Sequence, residues 1–189
     1  MIYKTLRILA DKFEQYLSNK FKLEEKITVL SGLSADDGIS EAQNTNKLIV
    51  TLAGVERDTS MGISFKPIVS QNNKNYVGRP SVSLNLYVLV SANFIDKNYD
   101  ESLKYLSSAL EMIQSNDLLN EYNTPGLGPE ISKLHLELEN MSFHEMSNIW
   151  SIFGGKYIPS FLLKVRMLTI SKEEIESVEH QADDVKLQT

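Results

Sequence analysis

The sequence contains no cysteine. Disulfides, thiolate nucleophiles and Cys-ligated zinc are therefore excluded. Basic charge is in deficit, with 19 Lys and Arg against 25 Asp and Glu and a formal net charge of −6. A protein that neutralises phosphates needs a basic surface, so general nucleic-acid binding is disfavoured, although a local basic patch stays open. Long apolar runs are missing too. The longest on any expected strand, 86–90, falls far short of the ~18 residues that suggest a membrane span. The opening Met1-Ile2-Tyr3-Lys4 leads into an amphipathic pattern rather than an apolar signal-peptide core. The expectation is a soluble protein made in the cytoplasm.

What is present is ordinary for a globular chain: 189 residues, 42% hydrophobic and 23% charged. That length fits one domain of about 150 residues plus a tail. Here the division falls at a body over 1–171 and a polar, acidic C-terminal tail over 172–189, mobile or weakly helical. No internal repeat is visible.

Ile2, Leu6, Leu9, Phe13 and Tyr16/Leu17 repeat at helical spacing, which predicts a five-turn amphipathic helix to about Lys20. A short strand is expected over 27–30 and a turn-rich segment over 31–40. Residues 48–57 alternate as a strand that is apolar on both faces in its middle, hence internal to a sheet. A long loop over 58–80 follows, with an arm or strand over 61–69 and a polar cluster over 71–75. The strongest strand signal covers 81–94. Val82, Leu84, Leu86, Val88, Val90, Ala92 and Phe94 line one of its faces.

A second helix begins near Asn98, with Glu101 as a capping-box partner, and closes at Asn116-Asp117. Residues 124–129 form a turn-rich connector. Leu134, Leu136 and Leu138 alternate with Lys133, His135, Glu137 and Glu139, a strand with one wet face. Ser142 and Glu145 form another capping box and open a third helix on Phe143, Met146, Ile149/Trp150 and Phe153. Gly154-Gly155 stops that helix, and a last strand runs over 161–170. Leu163, Val165 and Met167 share one face of it, while Lys164 and Arg166 share the other. Two such cations are hard to bury unpaired, so they face solvent or an acidic partner. Helices and a long loop joining the strands predict an α+β fold with one central mixed or antiparallel sheet.

The candidate chemistry is thin. His144-Glu145 resembles the start of a metalloprotease helix, but Asn148 stands where the second His is required. His135, Glu137 and Glu139 share a strand face and are a place for a metal or acid–base chemistry. A solvated face with cross-strand ion pairs accounts for the same alternation. Gly154-Gly155-Lys156 lacks the earlier glycine and the Ser/Thr of a phosphate loop. Asp36-Asp37-Gly38 is too sparse for a calcium loop. No catalytic, cofactor-binding or metal-binding set emerges. Trp150 and Tyr157 flank the glycine corner, as core residues or as anchors of a subunit interface.

The opening MIYKTLRILADKFEQYL, the strand SLNLYVLVSANF, the strand KLHLELEN and the segment NIWSIFGGKYIPSFLLKVRMLTI occur in that order. Together they resemble the tail-terminator or cap proteins of extracellular contractile injection systems, the phage-tail-like particles typified by the antifeeding prophage and the Photorhabdus virulence cassettes. The resemblance runs from Met1 to about Ile170. It implies a non-enzymatic, cofactor-free structural subunit of a six-fold ring. That ring stops polymerisation of inner tube and sheath and joins them at the distal end of the particle. The implied partners are further copies of the chain, in a homohexamer, and the sheath and tube proteins, without nucleic acid or membrane insertion. Assembly is expected in the cytoplasm, and the chain then belongs to the assembled, released particle. On this reading Trp150, Tyr157, Lys164 and Arg166 are the candidate subunit or sheath interface. The Lys164/Arg166 face, or the strand edge beside it, is a candidate for strand addition. A monomeric adaptor for such a particle, or an enzyme using the His135 face, stays open as an alternative.

Overall fold

The computed structural model describes residues 1–33, 44–59, 69–71, 74–78, 83–128, 131–154, 156–169 and 175–180. The first helix, α1 (Ile2–Phe21), buries Leu6, Leu9, Ala10, Phe13 and Leu17 along one stripe. It ends where Lys22 takes a left-handed conformation, φ 53°, and returns its N–H to Ser18 O. Glu14, on the flank of that stripe, accepts the backbone N–H groups of Ile27 and Thr28 at 3.1 and 2.6 Å. A side chain of α1 thereby satisfies donors at the start of the short edge strand β1 (Thr28–Leu30).

β1 runs parallel to β2 (Lys47–Arg57), and every other pairing in the main sheet is antiparallel. The remaining strands of that sheet are β5 (Leu84–Asn93), β6 (Leu118–Asn120), β7 (Ile131–Glu139) and β8 (Ser160–Thr169). Their order is β1-β2-β5-β8-β7-β6, which makes the sheet mixed as expected and β5–β8 its central pair. Strand periodicity divides the side chains into two layers. Leu86, Val88 and Val90 on β5 and Leu163, Val165 and Met167 on β8 are fully buried on the inner face. They meet α1 and the second helix, α2 (Tyr99–Ser115), which contributes Ala109, Met112 and Ile113. A salt bridge from Lys20 to Glu111 and a longer hydroxyl contact from Tyr16 to the same carboxylate join the two helices at the surface. The third helix, α3 (Phe143–Ile152), lies on the outer face, where Trp150 packs with Leu89 and Leu162.

Several expectations are corrected. The strand expected over 81–94 is described over Leu84–Asn93, and positions 81 and 82 lie outside the described residues. Asn98 does begin α2, but no capping box forms there. A 3-10 turn (Asp96–Asn98) precedes the helix, and the Asn98 amide donates instead to Asn46 Oδ1 at 3.5 Å. The expected loop over 58–80 contains two antiparallel strands, β3 (Val69–Gln71) and β4 (Lys74–Gly78), and residues 72 and 73 of the polar cluster lie outside the described residues. The 61–68 part of the expected arm is outside the described residues. Within the expected tail over 172–189, residues Ile175–His180 form strand β9, antiparallel to β4, and 172–174 and 181–189 lie outside the described residues. Phe143, expected in the apolar stripe of α3, is 88% exposed because it sits at the first position of the helix.

Truncating Leu163 tests the central layer. Leu163→Ala is expected to lower the unfolding free energy by about 2–5 kcal/mol. Leu138→Ala, at a half-exposed position of β7, is expected to cost about 1 kcal/mol or less. Urea titrations followed by circular dichroism compare the two, and equal losses would show that β8 is not the centre of the core.

Candidate functional site

The glycine corner expected between α3 and β8 is assembled from both ends. At the start of α3, the Ser142 hydroxyl accepts the Glu145 N–H at 3.3 Å, and the Glu145 carboxylate accepts the Ser142 N–H at 2.8 Å. These reciprocal bonds are the capping box legible in the sequence. The backbone bond from Ser142, with that from its hydroxyl, holds the Glu145 carboxyl below the usual carboxylate range. At the other end Gly154 adopts φ 99°, a left-handed conformation that side chains disfavour.

The rings flanking this corner differ in exposure. Trp150 is 4% exposed and Tyr157 is 58% exposed. They meet edge-on, with centroids 5.8 Å apart and planes at 71°. The Trp150 indole N–H has no hydrogen-bond partner among the described residues. Phe143, Met146, Trp150 and Tyr157 line a groove of about 500 Å³ along α3. On the far side of Tyr157, a second recess of about 490 Å³ is lined by Phe94, Ile95, Tyr99, Lys156, Ile158 and Pro159, among others.

Lys164 and Arg166 lie on the same outer face, farther along β8. The pairing register places Glu56, Asn85, Arg166, His135 and Leu118 in one row across five strands, and Gly54, Tyr87, Lys164 and Glu137 in the next. Arg166 Nε is 3.4 Å from the carboxylate of Asp58, whose side chain is 3% exposed, and its Nη2 is 3.9 Å from Glu137. The acidic partner expected for Arg166 is therefore within the chain. Lys164 stands over the Tyr87 ring at 5.9 Å, a cation–π contact. The Tyr87 hydroxyl donates to Glu56 at 2.8 Å. This hydrogen bond, aided by burial and the carboxylate charge, pushes the Tyr87 pKa up to about 12.

The strand edge beside Lys164 and Arg166 is not available for strand addition. β8 is interior, paired with β5 on one side and β7 on the other. The sheet's outer strands are the three-residue β1 and β6. On the His135 face, Glu137 lies 3.9 Å from Arg166 and Glu139 stands opposite Leu162 in the pairing register. Among the described residues no group of three His, Asp or Glu is placed to hold a metal. Sequence reasoning missed Asp58 and Glu56, because the register that brings them to this face is set by a β2–β5 pairing with a bulge between Leu52 and Gly54. It also missed the exposure of Phe143 and Ile152, at 88% and 80%.

No curated protein matches the chain. Its fold is that of two solved structures. The first is the sheath/tube terminator of a PVC extracellular contractile injection system in its extended state, with a TM-score of 0.64 and 12% identity over 100% of this chain. The second is the tube-terminating cap of the anti-feeding prophage, with a TM-score of 0.58 and 11% identity over 97% of this chain. The chain spans 64% and 58% of the length of those two proteins. At such identities the likeness is one of fold. The sequence match is independent of it: residues 4–181 fit a family model described as the Pvc16 N-terminal domain. The chain belongs to the Pvc16 N-terminal domain family.

Proposed function

We propose that this chain is the structural cap, or tail terminator, of a contractile phage-tail-like injection particle. In this reading it forms a closed homohexameric ring that ends polymerisation of the inner tube and sheath and joins them at the distal end. The observation that carries it is the family match over residues 4–181, on a chain that shares its fold along its whole length with a sheath/tube terminator. A ring contact that closes on itself leaves no growing end, the physical requirement for a terminator.

The role is non-enzymatic. That is supported by the two structural likenesses, a terminator and a cap. The partners are further copies of the chain and the tube and sheath subunits, with no nucleic acid and no membrane insertion. No helix among the described residues is long and apolar enough to cross a membrane. Assembly takes place in the cytoplasm, and the chain leaves with the released particle. Residues 1–171 provide the ring body, and 172–189 a polar extension that supplies β9.

Of the four interface candidates, Tyr157 and Lys164 are assigned to contacts between subunits or with sheath. Trp150 supports Tyr157 from beneath, and Arg166 holds the outer face together through Asp58.

The purified chain is expected to form rings at micromolar concentration, read by mass photometry and negative-stain microscopy. Monomers alone would remove the ring. The cations are expected to separate by function. Arg166→Ala should cost about 2 kcal/mol of unfolding free energy by removing the Arg166–Asp58 ion pair at a buried carboxylate, discounted for the partial exposure of the arginine. Lys164→Glu should stay within about 1 kcal/mol of the parent in stability while reducing the yield of capped particles. Normal particle yield and length with Lys164→Glu would take Lys164 out of the interface.

A further inference from the structure

A terminator ring needs one surface that protrudes and a different surface that receives it, because contacts that close a ring of more than two subunits are heterologous. Both are present at opposite ends of the main sheet. The protruding feature is the turn after β6. Its backbone is fastened from several directions. Asn120 Oδ1 accepts the N–H groups of Tyr122 and Asn123 at 3.0 and 3.2 Å, and Asn123 Oδ1 accepts the Asn120 N–H at 2.9 Å. The Asn123 amide donates to Leu118 O at 2.8 Å, and Lys12 Nζ on α1 donates to Asn123 O at 2.6 Å. On this fixed turn Tyr122 is 89% exposed, and Glu121 is exposed beside it. An aromatic ring held out from a preordered backbone gives up little conformational freedom on binding. Tyr is also among the residues that anchor interfaces.

The receiving feature is the recess of about 490 Å³ beside Tyr157. That volume lies within the roughly 300–1,000 Å³ of pockets that enclose a small ligand, sufficient for one aromatic side chain. Its apolar walls include Phe94, Ile95, Ile158 and Pro159, and Lys156 is the one charged residue among the described residues lining it. Asp100 and Glu101 occupy the first turn of α2, outside the lining. A carboxylate entering the recess gains only if it seats on Lys156, so charge constrains the register. The two features are far apart. The recess lies where β8 begins, and the turn follows Asn120, which pairs with Lys133 beside Leu168 at the end of β8. The ten residues of β8 separate them by about 30 Å.

We infer that the Glu121-Tyr122 turn of one copy seats in the Tyr157 recess of the next, with Tyr122 against the apolar walls and Glu121 against Lys156. The inference rests on the ring reading above and names the contact that closes the ring. It places the glycine corner at the receiving side of the subunit junction.

The absence of native cysteine allows a direct test. A chain carrying both Glu121→Cys and Lys156→Cys, treated with a short bismaleimide, is expected to give a ladder of covalent oligomers up to the full ring. Either single variant should give none. Tyr122→Ala is expected to raise the protein concentration needed for assembly by roughly tenfold or more, with an unchanged circular dichroism spectrum and unfolding curve. Glu121→Lys and Lys156→Glu should each weaken assembly, and the two together should restore it. Dimers from a single-cysteine variant would show a self-complementary contact and overturn the inference. Rings that form without the ladder, and are indifferent to Tyr122→Ala, would overturn this contact while leaving the cap reading intact. A failure of the parent chain to assemble would overturn both.

Discussion

The register of β8 between β5 and β7 is the constraint on which the rest of the structure depends. Along this strand Leu163, Val165 and Met167 are fully buried against the two inner helices, while Leu162, Lys164 and Arg166 face outward. A slip of one residue would exchange the sets and drive two cations into the core. Burying them without partners costs several kcal/mol each, far more than a strand of this length gains from any alternative pairing. The charges therefore fix the register as firmly as the leucines do. Arg166 strengthens the choice, because only the observed alignment brings it to both Asp58 and Glu137.

That register divides the outer face. The row through Leu89 and Leu162 is apolar, and Trp150 of α3 covers it. The next rows, through Tyr87–Lys164 and Asn85–Arg166, carry the polar and charged groups of this face, with Tyr87 packed at the edge of the apolar cluster. Helix α3 packs over the apolar row. It has one buried residue, Trp150, and its ends are fixed by the Ser142–Glu145 capping box and by Gly154, with little contribution from propensity. A helix seated through Trp150, with Met146 and Ile149 packed beside it, leaves its opposite side uncovered. Phe143, Ile152 and the adjoining Tyr157 remain exposed as a result.

What could be read from the sequence was whatever has a short-range physical signature. The stripe of α1, the alternation of β2, β5, β7 and β8, and the capping box of α3 all depend on spacings of two to four residues, and all are present. The two-sided burial of β2 near Leu48, Ile49 and Val50 correctly placed it inside the sheet. The short strands β3, β4, β6 and β9 escaped because three to six residues carry too little pattern, and they are defined by their partners. Asn98 shows the opposite error. The local capping signal was real, but Asn98 ends a 3-10 turn at φ −112°, ψ 21°, outside the extended conformation a capping residue uses. At the candidate site the same division holds. Trp150 could be read as core from its helical spacing, whereas the pairing of Arg166 with Asp58 depends on a bulge in β2 that no local rule announces.

Exposure separates the aromatic residues that hold the fold from those available to hold something else. Trp150 is buried against Leu89 and Leu162, and Phe13 is fully buried in the inner layer, so both are accounted for by stability. Tyr122, Phe143 and Tyr157 are mostly exposed and contribute little to burying the core. Singly exposed apolar residues need no explanation. The case changes when the exposed ring sits on a backbone whose geometry is heavily specified, as Tyr122 does between Asn120 and Asn123. Ordering a turn costs conformational entropy, and nothing in the core is gained by where that ring points. The proposed cap role calls for fixed geometry at the contacts more than for reactive groups. The ordered turn and the walled recess are where this chain has invested that geometry, and their separation along β8 suits a contact that passes from copy to copy.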